Sequence, residues 1–174
     1  KKGFTEALKG SNLKIVYSDY CDNWLAELAA AHMNEGLKIT DDIAGVMCGN
    51  DDLAGQAVKV LSENRLAGKV ALVAQDAELA ACQRIVEGTQ YMTVYKPIEQ
   101  EAATAATLAV ALAKGEDITS ADYDIPVTDT IIDGKKEIPY YKIEPVAVTA
   151  KNMDEVIIDS GFHTREDVYL NIKN

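Results

Sequence analysis

Three polar residues follow apolar, strand-like segments of this chain at the point where each segment ends. Asn50 closes the segment VMCGN, Asp76 follows VALVAQ, and Lys96 follows TVY. Pro97 restricts the backbone of Lys96 to extended conformations, so the lysine ammonium is held on a stiff segment. An amide, a carboxylate and an ammonium offer both donors and acceptors, which suits a small ligand that is rich in hydroxyl groups.

A fourth residue, Tyr20, follows another apolar segment and could present a ring to the C–H face of a sugar. Each of the four residues also has a simpler structural role. Asn50 and Asp76 could cap the helices that follow them. Lys96 could be an exposed charge, and Tyr20 could belong to the core or its rim. Capping and ligand binding are compatible, so both interpretations stay open. Trp24 is expected to pack rather than to stack on a ligand.

The spacing of apolar residues predicts the elements that carry these side chains. Strands are predicted at residues 13–17, 43–48, 70–74 and 92–95, and helices at 23–36, 51–62, 77–88 and 99–114. The alternation predicts an α/β fold, a Rossmann-like three-layer lobe with a parallel sheet. In open α/β sheets, ligands bind outside the carboxyl ends of the strands, and all four candidate residues fall there.

The last third of the chain has a different pattern. TIIDGKKEIPYY predicts a hairpin with Asp133-Gly134 at its turn. Asp122 and Asp124 form a D-x-D, but Pro126 stands where a further calcium ligand would be expected, so no calcium site is predicted. The opening KKGFTEALKG lacks a methionine and has the pattern of a helix already under way, which suggests an N-terminal truncation.

Composition and spacing argue against several classes of function. The net charge of −11 disfavours nucleic acid and anionic membranes as partners, because both bind basic surfaces. Cys21, Cys48 and Cys82 are irregularly spaced, which indicates neither a disulfide framework nor a metal site. His32 and His163 have no nucleophile or metal partner at a useful spacing and are expected to be structural. No cofactor, metal or catalytic residue is predicted, because no cofactor or nucleophile motif is found.

Three segments of the chain resemble a known family. CGNDDLAGQAVKVL, GKVALVAQDAELAACQRIVEGTQYMTVYKPI and VIIDSGFHTRED are similar to the C-terminal lobe of the D-xylose-binding branch of the type I periplasmic sugar-binding proteins. The resemblance implies two Rossmann-like lobes with a sugar clamped between them. By motif position it implies sugar contacts for Tyr20, Asn50, Asp76 and Lys96. Tyr20 stands where the xylose branch often has tryptophan.

The resemblance also implies a domain organisation. Residues 1–97 would form the C-terminal sugar-binding lobe, and residues 98–115 a helix after a hinge crossing that packs on an N-terminal lobe missing from this sequence. Residues 116–174 would supply return strands, a hinge and the C-terminal tail.

The expected function is non-enzymatic binding of D-xylose or a similar aldose for an ATP-driven importer. The expected partners are the sugar, the importer permease or a sensor, and the missing lobe. The expected location is periplasmic, or extracellular and membrane-anchored. Two alternatives stay open: a sugar-sensing domain of a membrane sensor kinase, and the effector-binding core of a lactose-repressor-like regulator. An enzyme on a flavodoxin-like sheet has no motif in its favour.

Overall fold

The computed structural model describes residues 1–120, 127 and 129–172, and the chain divides into two units. The first unit comprises Lys1–Tyr95 and Val146–Asn174, and the second comprises Lys96–Pro145. Asp122 and Asp124 lie outside the described residues. In chain order the elements are α1 (Lys2–Ala7), a 3₁₀ turn (Asp22–Trp24), α2 (Ala26–Ile39), β1 (Gly45–Met47), α3 (Asp51–Glu63), β2 (Ala71–Val73), α4 (Leu79–Val86), β3 (Thr93–Tyr95), α5 (Ile98–Lys114), β4 (Asp129–Asp133), β5 (Lys136–Tyr140), β6 (Val146–Val148), a π-helical turn (Asp154–Ile158) and α6 (Arg165–Val168).

The sheet of the first unit begins with two parallel strands. β1 pairs with β2 so that Val46 lies opposite Leu72. The parallel direction continues to the next strand through a bridge between Val73 and Met92. β3 then pairs with β6 in the antiparallel direction. The predicted α/β fold with a parallel sheet is confirmed. β6 comes from the residues that were expected to supply return strands, and it adds an antiparallel strand beside β3.

Two apolar clusters hold the first unit together. One joins α2 and α3 to β1 and β2, and from α3 it contains Ala54, Ala57, Val58, Val60 and Leu61. Leu53 of α3 is buried as well. The other joins α4 to the C-terminal segment and contains Ala77, Cys82, Ile85, Val148, Met153, Ile157 and Val168. The second cluster brings the C-terminal segment against the turn that follows β2, where Asp76 lies.

The strand predicted at residues 13–17 is not formed within the described residues. Leu13, Ile15 and Val16 are half-exposed and make no ladder with β1. Tyr17 instead packs on α2. If Gly36 of α2 carried a Cβ, that atom would lie 3.7 Å from the Cβ of Tyr17. The predicted strand is therefore wrong, because Tyr17 packs against α2 and does not pair with the sheet.

The second unit contains α5 and the hairpin of β4 and β5. The predicted hairpin is confirmed, but its two-residue turn is Gly134-Lys135 rather than Asp133-Gly134, because Asp133 pairs with Lys136 as the last residue of β4. Gly134 takes the positive φ (63°) that such a turn requires. Ala111 is the buried residue of α5. The apolar stripe predicted on α5 is exposed or half-buried (Ala102, Ala105, Leu108, Ala109 and Leu112). Its packing on another lobe stays a prediction. None of the described helices is both long and apolar enough to cross a membrane.

The three cysteines are free thiols, as the sequence predicted. Burial raises the pKa of the Cys48 and Cys82 thiols to about 12. Burial also raises the pKa of the Cys21 thiol. At pH 8 we expect iodoacetamide to alkylate Cys21 at least about tenfold faster than Cys82, since the thiolate is the reactive form. Peptide mass spectrometry over a time course measures these rates. In denaturant the three rates should converge, and equal rates in the folded chain would contradict the prediction.

Candidate functional site

Asn50 lies after β1 and is the N-cap of α3. Its Oδ1 accepts a hydrogen bond from the Leu53 backbone N–H at 3.0 Å, so the predicted capping role is confirmed. Capping uses only the oxygen of the amide. Among the described residues no partner is found for Nδ2 of Asn50, which leaves two N–H donors for a ligand.

Asp76 lies after β2, and its backbone is left-handed. Its φ is 105°, and the φ of Ala77 is 52°. Both values are uncommon for residues other than glycine and cost about 1–3 kcal/mol each. Because neither residue is helical, α4 begins only at Leu79, and its N-cap is Glu78. The predicted capping role of Asp76 is therefore wrong. Strained backbone of this kind is concentrated at functional sites.

The turns that carry Asn50 and Asp76 are joined through Asp51. The Asp51 backbone N–H donates to the Gln75 carbonyl at 2.9 Å. The Asp51 carboxylate accepts from the Glu78 backbone N–H at 3.1 Å. The first bond links the backbones past the ends of β1 and β2, and the second ties the Asp51 side chain to the turn that carries Asp76. The structure therefore brings Asn50 and Asp76 together at the carboxyl edge of the sheet, as the sequence predicted.

The Asp51 side chain lies behind this edge in a fully buried polar network. Its Oδ2 accepts from Thr93 Oγ1 at 2.7 Å, and its Oδ1 accepts from Gln90 Nε2 at 2.8 Å. Arg84 donates from Nε to Gln90 Oε1 and from Nη2 to the Asp51 carbonyl, both at 2.9 Å. Burial raises the pKa of the Asp51 carboxyl, and the hydrogen bonds from Thr93 and Gln90 oppose that rise.

This network was not predicted from the sequence, where Asp51 was considered only as an acid at a helix start. A signal did exist. Gln90 and Thr93 are polar residues that flank and enter a buried strand, and buried polar side chains need partners. The sequence alone did not identify Asp51 as the acceptor that Gln90 and Thr93 share.

Tyr20 is 67% exposed, and it does not follow a strand. Its backbone carbonyl lies 3.1 Å from His32 Nε2 on α2. Trp24 lies against Gly49, the residue before Asn50, because a Cβ added at Gly49 would lie 3.0 Å from the Trp24 ring. The indole therefore packs beside Asn50 and is still 61% exposed. The aromatic face next to Asn50 belongs to Trp24, for which a packing role was predicted.

Lys96 directly follows β3, so the predicted strand end is confirmed. Pro97 comes next and is the N-cap residue of α5. Lys96 is the first residue of the second unit. Its part in ligand binding stays a prediction that rests on its place in the sequence.

Both histidines bind backbone carbonyls close to predicted site residues. His32 Nε2 binds Tyr20 O, and His163 Nε2 lies 2.8 Å from Ala77 O. A carbonyl only accepts, so each Nε2 carries a proton. The predicted structural role is confirmed for both histidines, and the structure adds that each holds a segment next to a candidate ligand-binding residue.

An amide and a carboxylate that meet at the carboxyl edge of a parallel sheet are typical of ligand sites in open α/β folds. Residues 1–117 match the family model described as the periplasmic binding protein domain. The chain belongs to the periplasmic binding protein family. It is 40% identical over 163 residues to the D-xylose-binding periplasmic protein of Haemophilus influenzae, a match that covers 93% of this chain and 47% of the relative.

Other members of the family give the same result. The D-xylose-binding periplasmic protein of Escherichia coli is 39% identical over 158 residues, which cover 90% of this chain and 46% of that protein. The carbohydrate transporter solute-binding protein of Chloroflexus aurantiacus, solved in complex with D-glucose, superimposes with a TM-score of 0.70 at 28% identity. That match covers 83% of this chain and 42% of the other. The chain spans less than half the length of these relatives.

Proposed function

We propose that this chain is one lobe of a periplasmic solute-binding protein for D-xylose or a similar aldose, with no catalytic activity of its own. The observation that carries the proposal is the 2.9 Å backbone bond from Asp51 to Gln75, which aligns the turns of Asn50 and Asp76. The two D-xylose-binding relatives support the choice of sugar, and the glucose complex supports the wider class of ligand.

In the proposed mechanism each residue of the site has a separate part. The Asp76 carboxylate accepts hydrogen bonds from neighbouring sugar hydroxyls, and the Asn50 Nδ2 group donates to a sugar oxygen. Lys96 donates a charge-assisted bond from the next strand end. The exposed ring of Tyr20 or Trp24 covers the apolar face of the sugar. A second lobe then closes over the ligand, as hinged binding proteins do.

The proposed partner is the permease of an ATP-driven importer, and the proposed location is the periplasm. Both are supported by the relatives, which are described as periplasmic and transporter proteins. Attachment to the membrane is a further proposal. A membrane sensor that reads the closed form is the alternative partner, and the lactose-repressor-like alternative is disfavoured by the identity to D-xylose-binding proteins.

Titration of the ¹⁵N-labelled chain with sugars tests the proposal. We expect D-xylose to shift the amide signals of residues 49–51 and 75–78 in a saturable way at millimolar concentration. The emission of Trp24, which is the only tryptophan, should change in parallel. L-Xylose is the matched control, because it has the same composition with opposite handedness. Absence of shifts in these turns with every aldose, or equal shifts with L-xylose, would contradict the proposed function.

Binding by the chain alone should be weak, because one lobe supplies only part of the contacts. The part of the Haemophilus influenzae relative that lies outside the matched region can be joined to this chain to give the proposed two-lobed protein. We expect this protein to bind D-xylose at least about 100-fold tighter than the chain alone, since the second set of contacts becomes intramolecular. Titration calorimetry measures the difference. Equal affinities would argue against a sugar clamped between two lobes.

A further inference from the structure

Residues 76–78 form a turn that does not adopt its backbone conformation by default. Two consecutive residues have positive φ, and neither is glycine. Such a conformation persists only where surrounding contacts determine it. Ala77, at the centre of the turn, is fully buried, so water does not satisfy its backbone groups. The contacts that replace water must come from the protein.

Four backbone polar groups in this turn have a protein partner from a distant part of the chain. The Asp76 N–H donates to the Val94 carbonyl at 2.9 Å. The Ala77 N–H donates to Thr93 Oγ1 at 3.1 Å, and the Ala77 carbonyl accepts from His163 Nε2 at 2.8 Å. The Glu78 N–H donates to the Asp51 carboxylate at 3.1 Å. Three of the four partners are side chains, and they come from α3, β3 and the C-terminal segment.

The side-chain partners are also joined to one another. Thr93 accepts from Ala77 and donates its own proton to Asp51 Oδ2 at 2.7 Å. Asp51 is therefore held by the same hydroxyl that holds the turn. A buried carboxylate and a buried hydroxyl are costly where an apolar pair would fill the space. Their convergence on a single three-residue turn indicates that they act on that turn.

We infer that Asp51, Thr93 and His163 are positioning residues for the ligand: they hold Asp76 and Ala77 in a left-handed conformation and thereby set the direction of the Asp76 carboxylate. The inference rests on the proposed function for its ligand, but the conformation of the turn is measurable without any ligand. None of the three residues contacts the sugar in this scheme. Each acts through the backbone of Ala77 or Glu78, the two residues that follow Asp76.

The test uses Thr93→Val, which keeps the shape of the side chain and removes its hydroxyl. Thr93→Ser is the conservative variant that keeps the hydroxyl. Thr107→Val is the matched control, because the Thr107 hydroxyl also makes a hydrogen bond with the backbone, donating to the Ala103 carbonyl at 2.9 Å, but at an exposed position of α5. Amide exchange is followed at Asp76 and Glu78, since the hydroxyl is the direct partner of neither amide.

In Thr93→Val we expect the Asp76 and Glu78 amides to exchange about tenfold faster, which corresponds to the loss of one buried hydrogen bond. The amides of Val58 and Leu61 in α3 should keep their rates, which separates loosening of the turn from global unfolding. Titration should show affinity for D-xylose reduced about fivefold or more in the same variant. Thr93→Ser and Thr107→Val should match the parent in both measurements.

The outcomes are distinguishable. If the parent binds no aldose while the turn loosens in Thr93→Val, the proposed function fails and the structural part of the inference stands. If the turn does not loosen, or if it loosens and D-xylose affinity is unchanged, the inference is overturned. If Thr93→Val does not fold, the same comparison is made with His163→Leu, which removes the donor to Ala77, and His163→Gln, which restores one. His163 is only half-buried, so these variants disturb the core less.

Discussion

Replacing Asp76 by alanine in the two-lobed protein should reduce its affinity for D-xylose by about 2 kcal/mol or more, roughly 30-fold, because a charged acceptor of sugar hydroxyls is lost. Titration calorimetry measures the change. Asp52→Ala is the matched control, because Asp52 is an exposed acid in the first turn of α3, next to the same site. Unchanged affinity in Asp76→Ala would remove Asp76 from the ligand contacts.

The same position allows a sharper comparison, because its φ of 105° favours glycine. Asp76→Gly and Asp76→Ala both remove the carboxylate, so both should lose the same affinity for D-xylose. The glycine variant should nevertheless be more stable than the alanine variant by about 1 kcal/mol, since alanine keeps the backbone strain. Urea denaturation measures the two free energies of unfolding. An alanine variant at least as stable as the glycine variant would show that the turn is not strained.

These two effects separate function from stability at a single residue. In most of the fold a substitution that destroys binding also loosens the structure. At Asp76 the side chain proposed to bind the ligand stands on backbone that glycine would suit better, so binding and stability are expected to oppose each other. Such a trade-off between stability and function is expected where a side chain is retained for its chemistry although another residue would stabilise the fold better.

The local pattern of the sequence was sufficient for the elements that carry the site. The apolar stripe of α3 and the polar residue at the end of each strand both follow from short-range periodicity, and both were predicted correctly. Residues 13–17 have an equally good strand pattern, but a strand also needs a free edge to pair with. That condition is set by the tertiary structure, where Tyr17 packs on α2.

The hydrogen-bond network of Asp51, Gln90, Thr93 and His163 could not be predicted from the sequence, for a different reason. Asp51 is 39 residues from Gln90 and 42 from Thr93, and His163 is 86 residues from Ala77. No local pattern links residues at such separations. The left-handed backbone of Asp76 could not be predicted either, because the usual sequence signal for a positive φ is a glycine. The two histidines were correctly given structural roles, but their carbonyl partners became visible only in the folded chain.

The largest effect on stability is expected at Asp51. Asp51→Ala leaves the Thr93 hydroxyl, the Gln90 amide and the Glu78 N–H without their buried acceptor. We expect the free energy of unfolding to fall by about 3 kcal/mol or more, because unsatisfied buried donors are costly. Urea denaturation checks this value. Asp52→Ala again serves as the control, with an expected loss of no more than about 1 kcal/mol for an exposed acid at a helix N-terminus.

Asp51→Asn should separate the charge of Asp51 from its hydrogen bonds. Burial raises the pKa of this carboxyl in the folded chain above its ordinary value of 3.8. Between the unfolded and the folded pKa the folded state binds more protons, so stability falls as pH rises through that window. Below the unfolded pKa both states are protonated and the penalty is absent. The asparagine variant does not titrate there and should lack this fall.

The comparison is made on the difference between the parent and Asp51→Asn, measured from about pH 4 to about pH 7, where a raised carboxyl pKa acts. The charged neighbours of Asp51 are Arg84 on α4, which opposes the rise in its pKa, and Glu78, whose own pKa is raised by burial and then by Asp51. Loss of the Asp51 charge relieves Glu78 as well, so both groups act in the same direction. The stability of the parent relative to the variant should therefore decline as pH rises. A difference that stays constant or grows would mean that the hydrogen bonds from Thr93 and Gln90 outweigh burial, and that the carboxylate is stabilised where it lies.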